Sequence, residues 1–337
     1  MGGKYICPIQ TTAINRRTSN QTYWLKPDRP DSEGFATLQN TIGYLFGRYA
    51  KIHQIECHAF TTMSNHYHAV ITDMRGERSL FFNEFHSMLA RYCNRLHDRS
   101  GDFWDNGKTG DFILIDDGAI ADKIVYATVN PVEAGLVSRH ELWQHFTITP
   151  KDWGSPLEFT RPSGVDETWP ESVIIMPTVP PEFRHLDEPI EHFNRLIAQR
   201  TSELRMERQL EGQRFGSMEQ AFDINPWDNP HSHGRFQRVF PRLAEPVPAQ
   251  RSAPLPSFCA EDPDIHCRAR EEHQQFNEDY DAALSDFQDD KDTVFPAGTY
   301  LLRERYNVNI ASLDPLSLFH RPVLTPCPLS SSFFDSG

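Results

Sequence analysis

Two histidines placed two positions apart are the residues of this chain most suited to chemistry. His66 and His68 lie within residues 63–71, a stretch whose side chains are typical of a β-strand after a turn. Because strand side chains alternate between the two faces of a sheet, His66 and His68 share one face and Tyr67 points to the other. Two neighbouring imidazoles are suited to binding a metal ion. A pair of hydrogen-bonded histidines beside a turn is the structural alternative, since motifs this short often arise by chance.

A tyrosine and an asparagine form a second candidate pair further along the chain. The pattern over residues 118–130 predicts a helix, with Asp116 and Asp117 as turn and cap. Tyr126 and Asn130 are four residues apart, so both lie on one side of that helix, at the flank of its apolar stripe. By itself this spacing says little, because a tyrosine in such a helix usually packs in the core and an asparagine before a proline often ends the helix.

The elements around these pairs predict an α+β domain in which helices cover one face of a mainly antiparallel sheet. A β-hairpin should place the histidines just after its turn at Ser64 and Asn65. The remaining elements alternate between strand and helix patterns. They are a strand within residues 4–14, helices over 36–50 and 79–98, the first hairpin strand over 52–62, and a short strand over 112–115.

Three arginines recur every four residues on the second predicted helix. Arg91, Arg95 and Arg99 therefore share one side of it. Such a row is either a solvated helix surface or a stripe that follows a phosphate backbone, and the sequence leaves these two interpretations equally open.

The second half of the chain has a different composition. Residues 1–140 carry 15 basic and 15 acidic side chains, so the net charge of -14 comes from the rest of the chain. Loops are predicted over residues 147–184 and 215–265, which are rich in Pro, Gly, Ser and acidic residues. Charged helices are predicted over residues 187–212 and 271–289. An acidic total argues against a nonspecific DNA coat, although one domain can still hold nucleic acid in a groove.

The compartment is expected to be the cytoplasm. The six cysteines are scattered without a C-x-x-C pair, which favours neither a zinc ribbon nor a disulfide framework. The sequence has no stretch of eighteen apolar residues and no secretory pattern at its start, so we expect a soluble protein with no membrane partner.

The order of these blocks resembles a known family, the single-tyrosine transposases of the IS200-like and REP-associated kind within the HUH nuclease superfamily. The matching blocks are residues 63–68, 91–95 and 124–137, together with Trp104. The resemblance covers roughly residues 4–145. It implies a ferredoxin-like HUH nuclease domain over residues 1–145, followed by a partly irregular acidic extension over 146–337.

The resemblance also implies roles for particular residues. Tyr126 would be the nucleophile that cleaves single-stranded DNA through a 5′-phosphotyrosine intermediate and later rejoins it, on a DNA hairpin or REP-like palindrome. A monomer or a homodimer would do this. The implied ligands of Mg²⁺ or Mn²⁺ are His66, His68 and Asn130. The candidate DNA contacts are suggested by their charge and not by the resemblance, and they are Arg91, Arg95, Arg99 and Lys108. The segment over residues 104–110 is less basic than the family's usual sequence there.

Three other functions compete with this one. A protein of the same fold could bind DNA hairpins as a regulator without cleaving them. A replication initiator or relaxase-type nickase would use related chemistry. A His-x-His hydrolase of small molecules would need further Asp or His ligands at strand ends, which the Pro-rich second half does not supply.

Overall fold

The computed structural model describes residues 4–30, 37–106, 109–230, 258–290 and 292–320. The strands are β1 (Gln10–Arg17), β2 (Ile55–Thr62), β3 (His66–Asp73), β4 (Gly110–Leu114), β5 (Thr147–Ile148), β6 (Leu157–Thr160), β7 (Ser172–Ile175), β8 (Phe258–Cys259), β9 (Val294–Phe295) and β10 (Asn309–Ile310). The helices are α1 (Thr37–His53), α2 (Arg78–Leu96), α3 (Asp117–Glu133), α4 (Pro189–Leu210), α5 (Met218–Phe222), α6 (Pro263–Asp286) and α7 (Tyr300–Tyr306). None of these helices combines the length and the apolar character needed to cross a bilayer.

A six-stranded sheet in the order β5-β2-β3-β1-β4-β8 forms the centre of the molecule. All its neighbouring strands are antiparallel except β4 and β8, so the sheet is mixed. The predicted hairpin is confirmed: β2 pairs with β3, and the Met63 N–H donates to the His66 carbonyl at 2.7 Å across the turn. The histidine strand β3 is therefore held on both sides, by β2 and by β1.

Helices cover both faces of this sheet, so the expectation of helices on one face is wrong. Helices α1 and α2 pack on the face that carries Tyr67 and Ala69, which we call the tyrosine face. Helix α3, backed by Phe193 of α4, packs on the face that carries His66, His68 and Val70, which we call the histidine face. The physical reason is that the histidine face also has an apolar part, which has to be buried from water.

Residues beyond 145 complete the sheet rather than standing apart from it. Strand β5 pairs with β2, and β8 pairs in parallel with β4. The Asp262 N–H donates to the Asp116 carboxylate at 3.0 Å, which ties the start of α6 to the start of α3. The two predicted charged helices are confirmed as α4 and α6, with α6 beginning earlier than expected. The sheet thus crosses the predicted boundary at residue 145.

Candidate functional site

The histidine pair and the tyrosine pair meet on the histidine face. The ring centroids of His66 and His68 are 4.9 Å apart, and those of His68 and Tyr126 are 5.0 Å apart. The Asn130 side chain is within hydrogen-bonding reach of both His66 and Tyr126. The two pairs, which are about sixty positions apart in the sequence, therefore form one cluster of four side chains.

Helix α3 presents Tyr126 and Asn130 because of how its start and end are built. The Asp116 carboxylate accepts a hydrogen bond from the Ala119 N–H at 2.7 Å, as expected for an N-cap. The apolar stripe of α3 then packs on the sheet, which leaves Tyr126 half-buried at its flank. Pro131 lies inside the helix rather than ending it, so Asn130 keeps its helical position one turn after Tyr126. Gly135, with a φ of 71°, follows the last turn.

The turn before β3 orients His66. The Asn65 amide oxygen accepts a hydrogen bond from His66 Nδ1 at 2.6 Å, while Asn65 Nδ2 donates to the Gln21 carbonyl at 2.9 Å. Asn65 also accepts, through its backbone carbonyl, from the Thr18 N–H. These bonds hold the ring through Nδ1, so Nε2 is the nitrogen of His66 that remains to bind a metal ion. A partner of this kind commonly sets the tautomer of a ligating histidine. The sequence interpretation treated Asn65 only as a turn residue, although its place directly before a candidate ligand was a usable signal.

His68 carries a buried nitrogen without a partner. Its side chain is 9% exposed, and Nε2 makes no hydrogen bond within the described part of the chain. Burial lowers the pKa of His68 to about 3 and also lowers the pKa of His66 well below its usual range. Both imidazoles are therefore neutral near pH 7, the state in which a histidine can donate a lone pair to a metal ion.

The donor set fits a divalent metal with positions left open for other ligands. Two neutral imidazoles and one amide oxygen would supply three donors, and the orphaned His68 Nε2 is the atom that most needs such a partner. Within the described residues, no group of three His, Cys, Asp or Glu side chains is placed to hold a metal ion. A metal at this cluster would accordingly depend on Asn130 as its third protein ligand.

Tyr126 is protonated in the resting site. Burial raises the pKa of its phenol above the ordinary value, and the nearby Glu133 carboxylate adds to that increase. Asn130 opposes the increase by hydrogen bonding, and the positive charges of Arg17 and Lys123 do so through space. The proton must leave before the phenol oxygen can act as a nucleophile.

The predicted arginine row does not join this cluster. Arg91 and Arg95 lie on α2, which packs on the tyrosine face of the sheet, whereas Arg99 follows the end of that helix at Leu96. Arg95 donates to the Gly164 carbonyl at 2.7 Å, and the Arg99 guanidinium stacks 3.7 Å from the ring centroid of Trp24. Arg91 remains exposed on the same helix. Lys108, the fourth predicted DNA contact, lies outside the described residues.

Comparison with known proteins yields one structural likeness. No family model and no curated protein matches the chain. Among solved structures, the chain is similar to a REP-associated tyrosine transposase bound to a REP hairpin. The two share 14% identity over 44% of this chain and 81% of that one, with a TM-score of 0.36. A likeness of this size establishes neither the fold nor the activity of this chain, so the case for function rests on the residues themselves.

Proposed function

We propose that this protein is a metal-dependent single-strand DNA endonuclease and transposase-like strand transferase, with Tyr126 as its nucleophile. The supporting observation is the arrangement of Tyr126 beside His68, 5.0 Å between ring centroids, with the unpartnered His68 Nε2 next to it. In this proposal, residues 1–145 supply a ferredoxin-like HUH nuclease domain and residues 146–337 an extension that completes its sheet.

The chemistry assigned to the chain is a transesterification. The phenol oxygen of Tyr126 attacks the phosphorus of a DNA phosphodiester, and the bond from phosphorus to the 3′-oxygen breaks. The products are a 5′-phosphotyrosine and a free 3′-hydroxyl, the phenol proton having gone to water and the 3′-oxygen having gained one. Because the ester bond is kept on the protein, a 3′-hydroxyl can later attack it and rejoin the strand without ATP.

Each residue of the cluster has a part in this proposal. The Asn130 amide, one helical turn after Tyr126, lowers the pKa of the Tyr126 phenol and so favours the phenolate. Asn65 keeps the His66 ring in one orientation. A Mg²⁺ or Mn²⁺ ion held by His66, His68 and Asn130 would withdraw charge from the phosphate oxygens when bound.

The proposed partner is single-stranded DNA, as a hairpin or REP-like palindrome, met in the cytoplasm by a monomer or homodimer. A folded single strand offers both a recognisable shape and unpaired bases. Residues 1–140 have zero net charge, which is compatible with a groove that holds DNA. The rest of the chain is acidic and would repel DNA.

The test is a search for a covalent adduct. Full-length protein is incubated with Mn²⁺ and a pool of single-stranded hairpin oligonucleotides that have randomised flanks and a 3′ label, and the products are separated under denaturing conditions. We expect labelled protein, because a 5′-phosphotyrosine retains the 3′ part of the strand. Cleaved DNA without attached protein would contradict the tyrosine nucleophile. Binding without cleavage would instead support a hairpin-binding regulator.

A further inference from the structure

Arg17 is placed on the histidine face by the register of β1. It is the last residue of that strand and pairs directly with His66 of β3. Directly opposed residues in an antiparallel pair project their side chains from the same face, with Cβ atoms about 4.5–5.5 Å apart. The preceding Arg16 projects from the other face, where its guanidinium lies 5.9 Å from the ring centroid of Trp104. Arg17 is therefore a neighbour of the cluster, and Arg16 is not.

The Arg17 side chain is exposed and makes no hydrogen bond or ion pair with any residue that the structure describes. Arg78, by contrast, is buried and donates to the Gln10 side chain at 2.7 Å and the Tyr5 carbonyl at 2.8 Å. A free guanidinium beside the candidate nucleophile has all five of its N–H donors available to a ligand.

Lys123 flanks the cluster from helix α3. It lies three residues before Tyr126, and its Nζ is 5.8 Å from the centroid of the Tyr126 ring. Its Nζ is also 2.8 Å from the carboxylate of Asp122, which is well exposed. Because the Asp122 carboxylate is well exposed to water, this ion pair contributes little. An anion arriving at Tyr126 can therefore compete for the ammonium group.

The cluster itself holds no acidic side chain that would repel an anion. The acidic residues that face this part of α3 are Asp122, which contacts Lys123, and Glu133, which lies 3.8 Å from Arg200 of α4. Arg17 and Lys123 are thus the charged groups left to face a ligand.

We propose that Arg17 and Lys123 together clamp one phosphate of the single-stranded DNA, the one that Tyr126 attacks. The planar guanidinium of Arg17 can bind two non-bridging oxygens at once, while the Lys123 ammonium acts as a point charge from the other side. The clamp holds the linkage beside the phenol and carries no proton. It rests on the proposed function, because it names the residues that position that substrate.

The first test measures DNA binding without metal. Wild-type protein and the variants Arg17→Ala and Lys123→Ala are titrated with the hairpin pool in EDTA at several salt concentrations. Each change should weaken binding about 10-fold or more, since each removes a charge-assisted contact to the phosphate. Each should also reduce the slope of log affinity against log salt by about 0.7, the value for one phosphate contact on a single strand. Arg17→Lys should fall between Arg17→Ala and the wild type.

Arg305→Ala is the matched control, because Arg305 is an exposed arginine on α7, which begins beside Ile6, before the start of β1, whereas Arg17 ends that strand. It should bind within about twofold of the wild type. An Arg17→Ala protein with unchanged affinity and salt slope overturns the clamp, as does an equal loss in Arg305→Ala. A third outcome would also overturn the clamp: millimolar inorganic phosphate alone stabilises the wild type against unfolding, and Arg17→Ala leaves DNA binding unchanged. That result would indicate a site for free anions.

The second test locates the phosphate. Once the wild-type cleavage position is mapped, that one linkage is replaced by a neutral methylphosphonate. The wild type should then bind this DNA about as weakly as the Arg17→Ala/Lys123→Ala double variant binds the normal strand, and that double variant should lose nothing further. A full additional loss in the double variant would place the clamp at another phosphate. If the wild type forms no adduct, the proposed function fails, whereas the metal-free binding data still decide whether Arg17 and Lys123 hold DNA.

Discussion

Two pairs of a tyrosine and a histidine lie on opposite faces of the same strand. On the tyrosine face, the Tyr67 hydroxyl is hydrogen-bonded to His86, whose backbone carbonyl accepts from the Trp104 indole N–H at 2.9 Å. On the histidine face, Tyr126 lies against His68, whose Nε2 has no partner in the described part of the chain. Both pairs consist of a tyrosine and a histidine. In the first pair the two side chains are hydrogen-bonded to each other, whereas in the second pair a histidine nitrogen is left without a partner.

The difference separates a pair with complete hydrogen bonds from the pair that is proposed to react. Tyr67 and His86 are both buried, and each satisfies the other, so their contact stabilises the core. Leaving a buried polar group without a partner costs about 1–3 kcal/mol. This cost in free energy applies to the buried His68 Nε2, which lies beside the half-buried phenol of Tyr126. Buried polar atoms without a partner are commonly explained by a functional role or a bound ion.

The largest effect should separate the two tyrosines. Tyr126→Phe should abolish the covalent adduct while leaving metal-free DNA binding within about twofold, because it removes only the atom that forms the ester. Tyr67→Phe should retain the adduct but lower the free energy of unfolding by about 1–3 kcal/mol, since His86 loses its partner. Denaturing gels and urea unfolding measure these outcomes. An adduct that survives in Tyr126→Phe and disappears in Tyr67→Phe would show that the nucleophile is the other tyrosine.

The two histidines of the cluster should contribute similarly to metal affinity, and His86 should not contribute. His66→Ala and His68→Ala should each weaken Mn²⁺ binding by at least about 100-fold, because outer partners of a ligand alone typically contribute about 10–100-fold. The double variant should lose little more, since both side chains bind one ion. Calorimetric titration of Mn²⁺ tests this, with His86→Ala expected to bind as the wild type does if it remains folded. Independent, additive losses would argue against a shared ion.

A smaller loss is expected at Asn65. Asn65→Ala removes the acceptor for His66 Nδ1 but no proposed metal ligand, so Mn²⁺ affinity should fall by about 10-fold. Asn65→Asp keeps an oxygen acceptor at this place and should retain more of the affinity. The same titration measures both variants, and an Asn65→Ala protein that binds like the wild type would remove Asn65 from the site.

The smallest effect concerns the dependence of stability on pH. Burial lowers the pKa of His86 to about 3, whereas an unfolded histidine titrates near pH 6.5. Below about pH 6.5 the unfolded chain therefore binds a proton that the folded chain does not. Stability is complete above that pH and falls towards pH 3, by about 1.4 kcal/mol per pH unit for this residue. Urea unfolding of His86→Gln between pH 7 and pH 5 should show a shallower decline than the wild type, and an unchanged slope would contradict this account.

Local patterns predicted the parts of the site that depend on local structure. Strand alternation placed His66 and His68 together and Tyr67 on the other face, and helical spacing placed Tyr126 beside Asn130, as the structure has them. Arg17 was missed because the first strand was expected to end near residue 14, whereas β1 extends to Arg17. Its position opposite His66 depends on the β1–β3 register, which is set by contacts between distant segments.

The same reason explains what was missed about the fold. Helices on both faces follow from apolar residues such as Ala59 and Val70, which stand on the histidine face between polar neighbours. A single strand pattern does not show which other segment will cover such residues. The pairing of β8 with β4 could not be predicted from the sequence either. Strand β8 has only two residues, in a Pro-rich stretch, which is too short for a strand pattern.

Strand β8 also affects the order in which the protein can fold during its synthesis. The hydrogen bond between Asp262 and Asp116 joins the start of α6, just after β8, to the start of α3, just after β4. These two residues are 146 positions apart in the sequence. At about 5–20 residues per second, a ribosome takes about 7–30 s to make that interval. For that time the nascent chain presents the outer edge of β4 without its partner strand. An unpaired strand edge is a template for association with other chains, so the emerging protein passes through a period in which a chaperone is of most use to it.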